Sequence, residues 1–254
     1  MSLKQLGLTA SIALLAGCTI SALPTVAQPY TNHPANSTLV EVKTKESAQS
    51  DQAEQAEQWF NQGWELLDAG KPEQALVMFD RVLKLYPNHA PTWTSRGQAL
   101  YDLTRYQESI AAYKQALKLD GKLADAWMGL GNALDDAGQP QAALKAYDQA
   151  IQLQPKKAAV WYNKGVTLGR LKQYKAAIAA YDQAIALEPK YEPAWFNRGV
   201  MLANLERYRE AIAAFNETLR INPNNQKAQR NRDSLLQKVG QRPQENPTAT
   251  VPQV

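Results

Sequence analysis

The sequence predicts an all-α protein, a solenoid of five helix–turn–helix units stacked end to end and closed by one further helix. Three observations carry this prediction. The first is composition: 44% of the 254 residues are hydrophobic, with 6 Trp and 11 Tyr against 4 Phe. Ala, Gln and Leu are abundant, a mixture that favours helices, and the alternation of β-branched residues that marks strands is missing. The second is recurrence: "WYNKG" at 161–165 returns as "WFNRG" at 195–199 and is preceded by "WMGLG" at 127–131. The third is punctuation, because each interval ends on a helix breaker: Pro87, Gly121, Pro155, Pro189 or Pro223.

Ahead of the repeats, residues 1–27 have the layout of a secretory signal. Lys4 precedes an apolar run from Leu6 to Ala22, and no further charge occurs until Glu41. The run is shorter than the ~20 residues of a comfortable membrane-spanning helix. Within it, Leu15-Ala16-Gly17-Cys18 resembles the lipobox of bacterial lipoproteins, and holds the only Cys of the chain. That resemblance implies lipidation of Cys18, which would become the first residue of the mature protein. The competing readings are cleavage after Ala27, at Thr25-Val26-Ala27, and an uncleaved anchor. The first expectation is an exported, membrane-anchored lipoprotein facing the periplasm or the cell exterior; the second is a soluble periplasmic or secreted protein. Residues 28–50 carry Pro, Asn, Ser, Thr and Gln without apolar period and read as a flexible linker. From Cys18 to Asp51 such a chain spans on the order of 30 Å.

The body then repeats in register. Trp59, Trp93, Trp127, Trp161 and Trp195 are spaced 34 residues apart, and Gly63, Gly97, Gly131, Gly165 and Gly199 follow each by four. Leu66, Leu100, Leu134, Leu168 and Leu202 come three residues later. A small residue recurs at Ala75, Ser109, Ala143, Ala177 and Ala211, then an aromatic at Phe79, Tyr113, Tyr147, Tyr181 and Phe215. Trp, Gly and Leu at this spacing share one helix face, where Gly admits a second helix closely and the facing small residue keeps the gap narrow. A lone helix pair cannot bury that face, so neighbours must stack on it.

These residues resemble the tetratricopeptide repeat, a 34-residue pair of antiparallel helices. The match gives repeats at 56–89, 90–123, 124–157, 158–191 and 192–225. The resemblance implies a right-handed superhelix. Asp51 and Glu54 can open its first helix as a capping pair, so the solenoid is expected from residue 51. Residues 226–239 keep the first-helix register but put Gln229 at the Trp place and Asp233 at the Gly place, as a polar capping helix would. Residues 240–254, with three prolines, read as a disordered tail.

The resemblance also implies that the first helix of each repeat lines a concave groove for an extended peptide or a partner helix. Its groove positions hold Phe60, Asn61, Trp64 and Asp68, then Tyr101 and Asp102, then Met128, Asn132, Asp135 and Asp136. The last two repeats give Tyr162, Asn163, Val166 and Arg170, and Phe196, Asn197, Val200 and Asn204. Asn61, Asn163 and Asn197 share one repeat position, and an amide can pair with peptide backbone of any sequence. Ser95 and Gly129 interrupt that ladder, and Asn as mere repeat consensus is the competing reading. The carboxylate-clamping variety of the groove is not matched, since Met128, Pro193 and Asn197 stand where its cations belong. Asp68, Asp102 and Asp136 recur in phase beside the aromatics, which predicts a protein or peptide partner that is apolar with some positive charge.

Several function classes are excluded at this level. A net charge of +4 without a basic block gives no electrostatic grip on nucleic acid. One Cys and two distant His residues offer neither a metal site nor a nucleophile with a partner, and no phosphate loop or serine elbow is present. Asp135 and Asp136 are adjacent and point about 100° apart on a helix, so they form no acid–base pair. The expectation is a non-catalytic interaction scaffold that uses no cofactor and no small-molecule substrate. A self-associating assembly module is the alternative.

Overall fold

The computed structural model describes residues 35–240, which form eleven helices without a strand. They are α1 (Ala35–Asp68), α2 (Pro72–Leu85), α3 (Ala90–Asp102), α4 (Tyr106–Leu119), α5 (Ala124–Asp136), α6 (Pro140–Leu153), α7 (Ala158–Arg170), α8 (Tyr174–Leu187), α9 (Glu192–Asn204), α10 (Tyr208–Ile221) and α11 (Gln226–Gly240). Ten helices make the five expected pairs and α11 closes the stack. The signal segment with Cys18, the start of the linker and residues 241–254 lie outside the described residues.

One boundary differs. α1 begins at Ala35, well ahead of Asp51, so residues 35–50 are helical where a flexible linker was expected. Asp51 and Glu54 consequently lie inside the helix and cap nothing. The physical reason is that residues 35–50 contain neither Gly nor Pro. A helix already nucleated by the packing of the first repeat propagates through such a stretch at little cost per residue.

Each helix packs on the next, and the first helices of adjacent repeats (α1 on α3, α3 on α5, α5 on α7, α7 on α9) also touch one another. Contact along that wall curves the stack toward it, so α3, α5, α7 and α9 line the concave side. The core between walls is built on the repeated aromatics. Phe79, Tyr113, Tyr147, Tyr181 and Phe215 are all buried, with the small residues Ala75, Ser109, Ala143, Ala177 and Ala211. Each ring fills the space above a repeat glycine, and a Cβ added at Gly63, Gly97, Gly131, Gly165 or Gly199 would lie within 3 Å of ring carbon. Close backbone approach is visible as well: the Ser109 hydroxyl donates to the Gly97 carbonyl at 2.7 Å.

The repeated Trp does a second job. The indole N–H of Trp93, Trp127, Trp161 and Trp195 donates to the carbonyl six residues earlier, on Pro87, Gly121, Pro155 and Pro189, at 2.7–3.0 Å. Each Trp thus pins the turn that joins its repeat to the one before. In α11 the side-chain amide of Gln229 makes the same bond to Pro223 at 3.1 Å, so the cap keeps the joint without the ring.

Between the helices of each pair the chain turns through one left-handed residue. This is Gly70 or Gly138 in two repeats but Thr104, Lys172 and Glu206 in the others. The turn is a Schellman motif, in which the N–H three residues beyond the helix reaches the carbonyl of the repeated Leu, as from Arg105 to Leu100. A β-branched residue at φ 57 is strained by roughly 1–2 kcal/mol. Thr104→Gly is therefore expected to stabilise the chain by about 0.5–1 kcal/mol, after the entropy that Gly adds to the unfolded state. Thermal melts check this, and Gly138→Thr should move in the opposite direction.

Candidate binding groove

The concave wall is built from positions that face away from the paired second helix. Most sequence-predicted groove residues lie on this wall, but they differ in depth. Asn61, Asp68, Asp102, Asp136 and Arg170 are exposed, whereas Trp64, Tyr101, Met128, Asn132, Tyr162, Asn163, Phe196 and Asn197 are half-buried. Phe60 is the exception at 4% exposure: it packs edge-on to Phe79 at 5.9 Å and to His89 at 6.0 Å. It is a core residue of the first repeat and offers a partner no surface. Trp64, T-shaped against both Phe60 and Phe79, is the aromatic that reaches the wall there.

The centre of the wall is a closed polar network across three repeats. The Tyr101 hydroxyl donates to Asp136 at 2.5 Å, and the Arg170 guanidinium donates to Asp136 at 3.1 Å. The same Arg170 nitrogen lies 3.0 Å from Asp135, whose other donor is the Thr167 hydroxyl at 2.8 Å. The two adjacent carboxylates diverge, as the helix requires, yet they meet on one cation. Burial, then the Asp136 carboxylate, pushes the Tyr101 phenol well above its ordinary value. Burial works against the charge of Arg170, but the hydrogen bond to Asp136 and the nearby carboxylates outweigh it and hold the guanidinium above its usual range.

This network revises the reading of three in-phase acids. Asp136 is held within the protein by Tyr101 and by the Arg170 that it shares with Asp135, and Asp102 accepts from the Gln98 amide at 2.8 Å. Partial burial raises the Asp102 carboxyl, and that bond offsets part of the shift. Asp68 is exposed with no side-chain partner among the described residues. Asp135 and Asp136 share the single charge of Arg170, so the centre of the wall keeps a net negative charge beside those of Asp68 and Asp102. Asp125, at the outer edge of the third, pairs with Lys157.

The amide ladder is used across repeats. Asn163 donates to Asn132 at 2.9 Å, and Tyr147 donates to the same oxygen at 2.9 Å. Asn197 donates to the Tyr162 hydroxyl at 3.1 Å. The two gaps now have causes. Ser95 is buried and turns its hydroxyl to the carbonyl of Pro91. At Gly129 the phenol end of Tyr113 fills the space, with a Cβ there only 2.3 Å from the ring. Gln98, Tyr147 and Thr167 are members of this network that sequence reasoning did not select for the groove.

At the first joint, His89 stands between Phe60 and α3, with Nδ1 2.7 Å from the Thr92 hydroxyl and Nε2 buried without a partner. Burial lowers its pKa below the ordinary 6.5. The folded form therefore holds a neutral ring, while the unfolded chain binds a proton more readily. Stability is full above pH ~6.5 and falls as pH drops through it, by up to ~1.4 kcal/mol per unit until the folded ring protonates. Urea midpoints at pH 7 and pH 5.5 are expected to differ more for the parent than for His89→Leu.

No group of three or more His, Cys, Asp or Glu among the described residues is placed to hold a metal ion. No helix among them is long and apolar enough to cross a membrane.

Comparison with known proteins agrees with this architecture. A tetratricopeptide repeat family model matches in four overlapping windows, at residues 60–124, 94–158, 128–192 and 162–226. Among solved structures, MamA protein aligns over 68% of this chain and 95% of its own, at 25% identity and a TM-score of 0.59. YrrB, described as a tetratricopeptide-repeat protein with an unusual peptide-binding site, aligns over 79% and 98%, at 20% identity and 0.59. A thermophilic protein of the same kind from Thermus thermophilus aligns over 72% and 99%, at 20% identity and 0.58. No curated protein sequence matches significantly. The fold, the period and the family match agree, and the chain belongs to the tetratricopeptide repeat family, whose members are protein-interaction scaffolds.

Proposed function

We propose that this chain is an exported, membrane-tethered scaffold without catalytic activity, which holds an extended peptide or a helix of a partner protein on its concave wall. The supporting observation is the wall itself. Half-buried Trp64, Tyr101, Met128, Tyr162 and Phe196 offer apolar surface from all five repeats. Hydrogen bonds from Tyr101 to Asp136 and from Asn197 to Tyr162 hold two of these rings before any partner arrives. Anchors fixed in advance lose less entropy on binding, which favours affinity at a given contact area. Tethering rests on the Leu15–Cys18 motif alone.

Two measurements test the two halves. A photo-crosslinking residue placed at Asn61 or Asp102, on the wall, should capture a partner in native membranes, while one at Lys145 on an outer helix should not. Capture from Lys145 with silence at both wall positions would overturn the groove. Cys18→Ala should move the protein out of the membrane fraction or block its processing. Unchanged fractionation and migration would overturn lipid attachment.

A further inference from the structure

Where α9 meets α10 and the closing helix α11, a cleft of about 280 Å³ opens at the end of the concave wall. Val200 and Leu235 supply apolar lining, and the amides of Asn204 and Asn231 supply donors and acceptors. The Lys238 ammonium sits 4.6 Å above the Tyr208 ring at its edge. Among the described residues no carboxylate lines the cleft, and Lys238 is its one charged residue. Its size falls just below the roughly 300–1,000 Å³ of whole small-molecule pockets. It suits a single large side chain.

We propose that this cleft is the terminal anchor of the groove, taking one bulky apolar side chain of a bound protein segment whose adjacent carboxylate pairs with Lys238. The proposal rests on the reading of the concave wall as a binding surface and adds a direction to it. Asp68 and Asp102 sit at the opposite end, over the first two repeats, and the central pair Asp135 and Asp136 shares one cation, Arg170, so the wall away from α11 is net negative. A segment therefore lies with its acidic end on α11 and its basic end on α1 and α3. Like charges meeting at either end would oppose the reverse orientation. An amphipathic lysine beside a ring can present its head to a carboxylate while its stem covers apolar surface.

The test uses two small probes on the isotope-labelled full chain: N-acetyl-phenylalanine, which carries a carboxylate, and N-acetyl-phenylalaninamide, which does not. The carboxylate probe should shift backbone amide resonances around Leu235 and Lys238 and bind about tenfold more tightly than the amide, equivalent to ~1.4 kcal/mol. Lys238→Gln should remove that preference and leave the fold intact, because its side chain is exposed. Equal affinities, shifts confined to other helices, or no shifts at all would overturn the proposal. The two failures are separable. Wall crosslinks without probe binding overturn the cleft alone, whereas probe binding with silent wall positions overturns the groove and leaves the cleft's chemistry standing.

Discussion

Gly131→Ala is expected to destabilise the solenoid by about 1–3 kcal/mol, although it adds only one methyl group. The new Cβ would lie 2.4 Å from Cε1 of Tyr147 and 2.7 Å from its Cδ1. The ring cannot swing aside cheaply, because Tyr147 is 1% exposed and its hydroxyl is tied to Asn132 at 2.9 Å. For a chain of this size the melting temperature should fall by about 2–4 °C per kcal/mol. Gly121→Ala is the matched control. Its Cβ would meet only the Leu117 carbonyl at 3.6 Å, an ordinary contact, so a change within ~0.5 kcal/mol is expected. Equal melting of the two variants would contradict ring-over-glycine packing.

Arg170→Ala is expected to cost about 1–3 kcal/mol, a loss set by what it leaves behind. Asp135 has 8% of its side chain exposed and would keep only the Thr167 hydroxyl, while Asp136 would keep only Tyr101. Arg170 itself is 53% exposed, so the lost attraction is partly screened and the stranded acceptor dominates. Adding Asp135→Asn to the Arg170→Ala background should recover part of the loss. Arg105→Ala, which removes an exposed pair with Glu108 on neighbouring turns, should matter far less. Chemical denaturation of the three variants beside the parent checks the order. A similar loss for Arg105→Ala and Arg170→Ala would mean that the central network adds nothing beyond a surface ion pair.

The fold was legible because every repeat states the same periodic pattern, and five statements in register leave little room for error. Side-chain depth was not legible in the same way. Phe60, Met128, Tyr162 and Phe196 share one repeat position, yet Phe60 alone is buried: Tyr162 packs on the equivalent pair of rings, Tyr181 and Tyr191, but only Phe60 has a third ring, Trp64, beside it. Depth depends on which residues fill the neighbouring positions, which the position number alone does not carry. The pairing of Asp136 with Arg170 did have a signal. The two are 34 residues apart, so stacking brings them side by side, and opposite charges at one repeat position should meet. Read singly, the acids looked free for a partner. The start of α1 was missed for another reason: polar composition suggested a linker, whereas helix propagation is stopped by Gly or Pro and residues 35–50 have neither.

Binding kinetics with a segment of the crosslinked partner test the concave wall most directly. Two variants should fail in different ways. Tyr101→Ala with Tyr162→Ala removes anchors and should speed dissociation about tenfold or more, since apolar anchors set residence time. Asp68→Asn with Asp102→Asn should instead slow association and flatten its dependence on salt, with dissociation little changed. Asp136 is left in place, because Arg170 and Tyr101 already hold it. If both variants bind and release the segment as the parent does, with circular dichroism unchanged, the concave wall is not the binding surface.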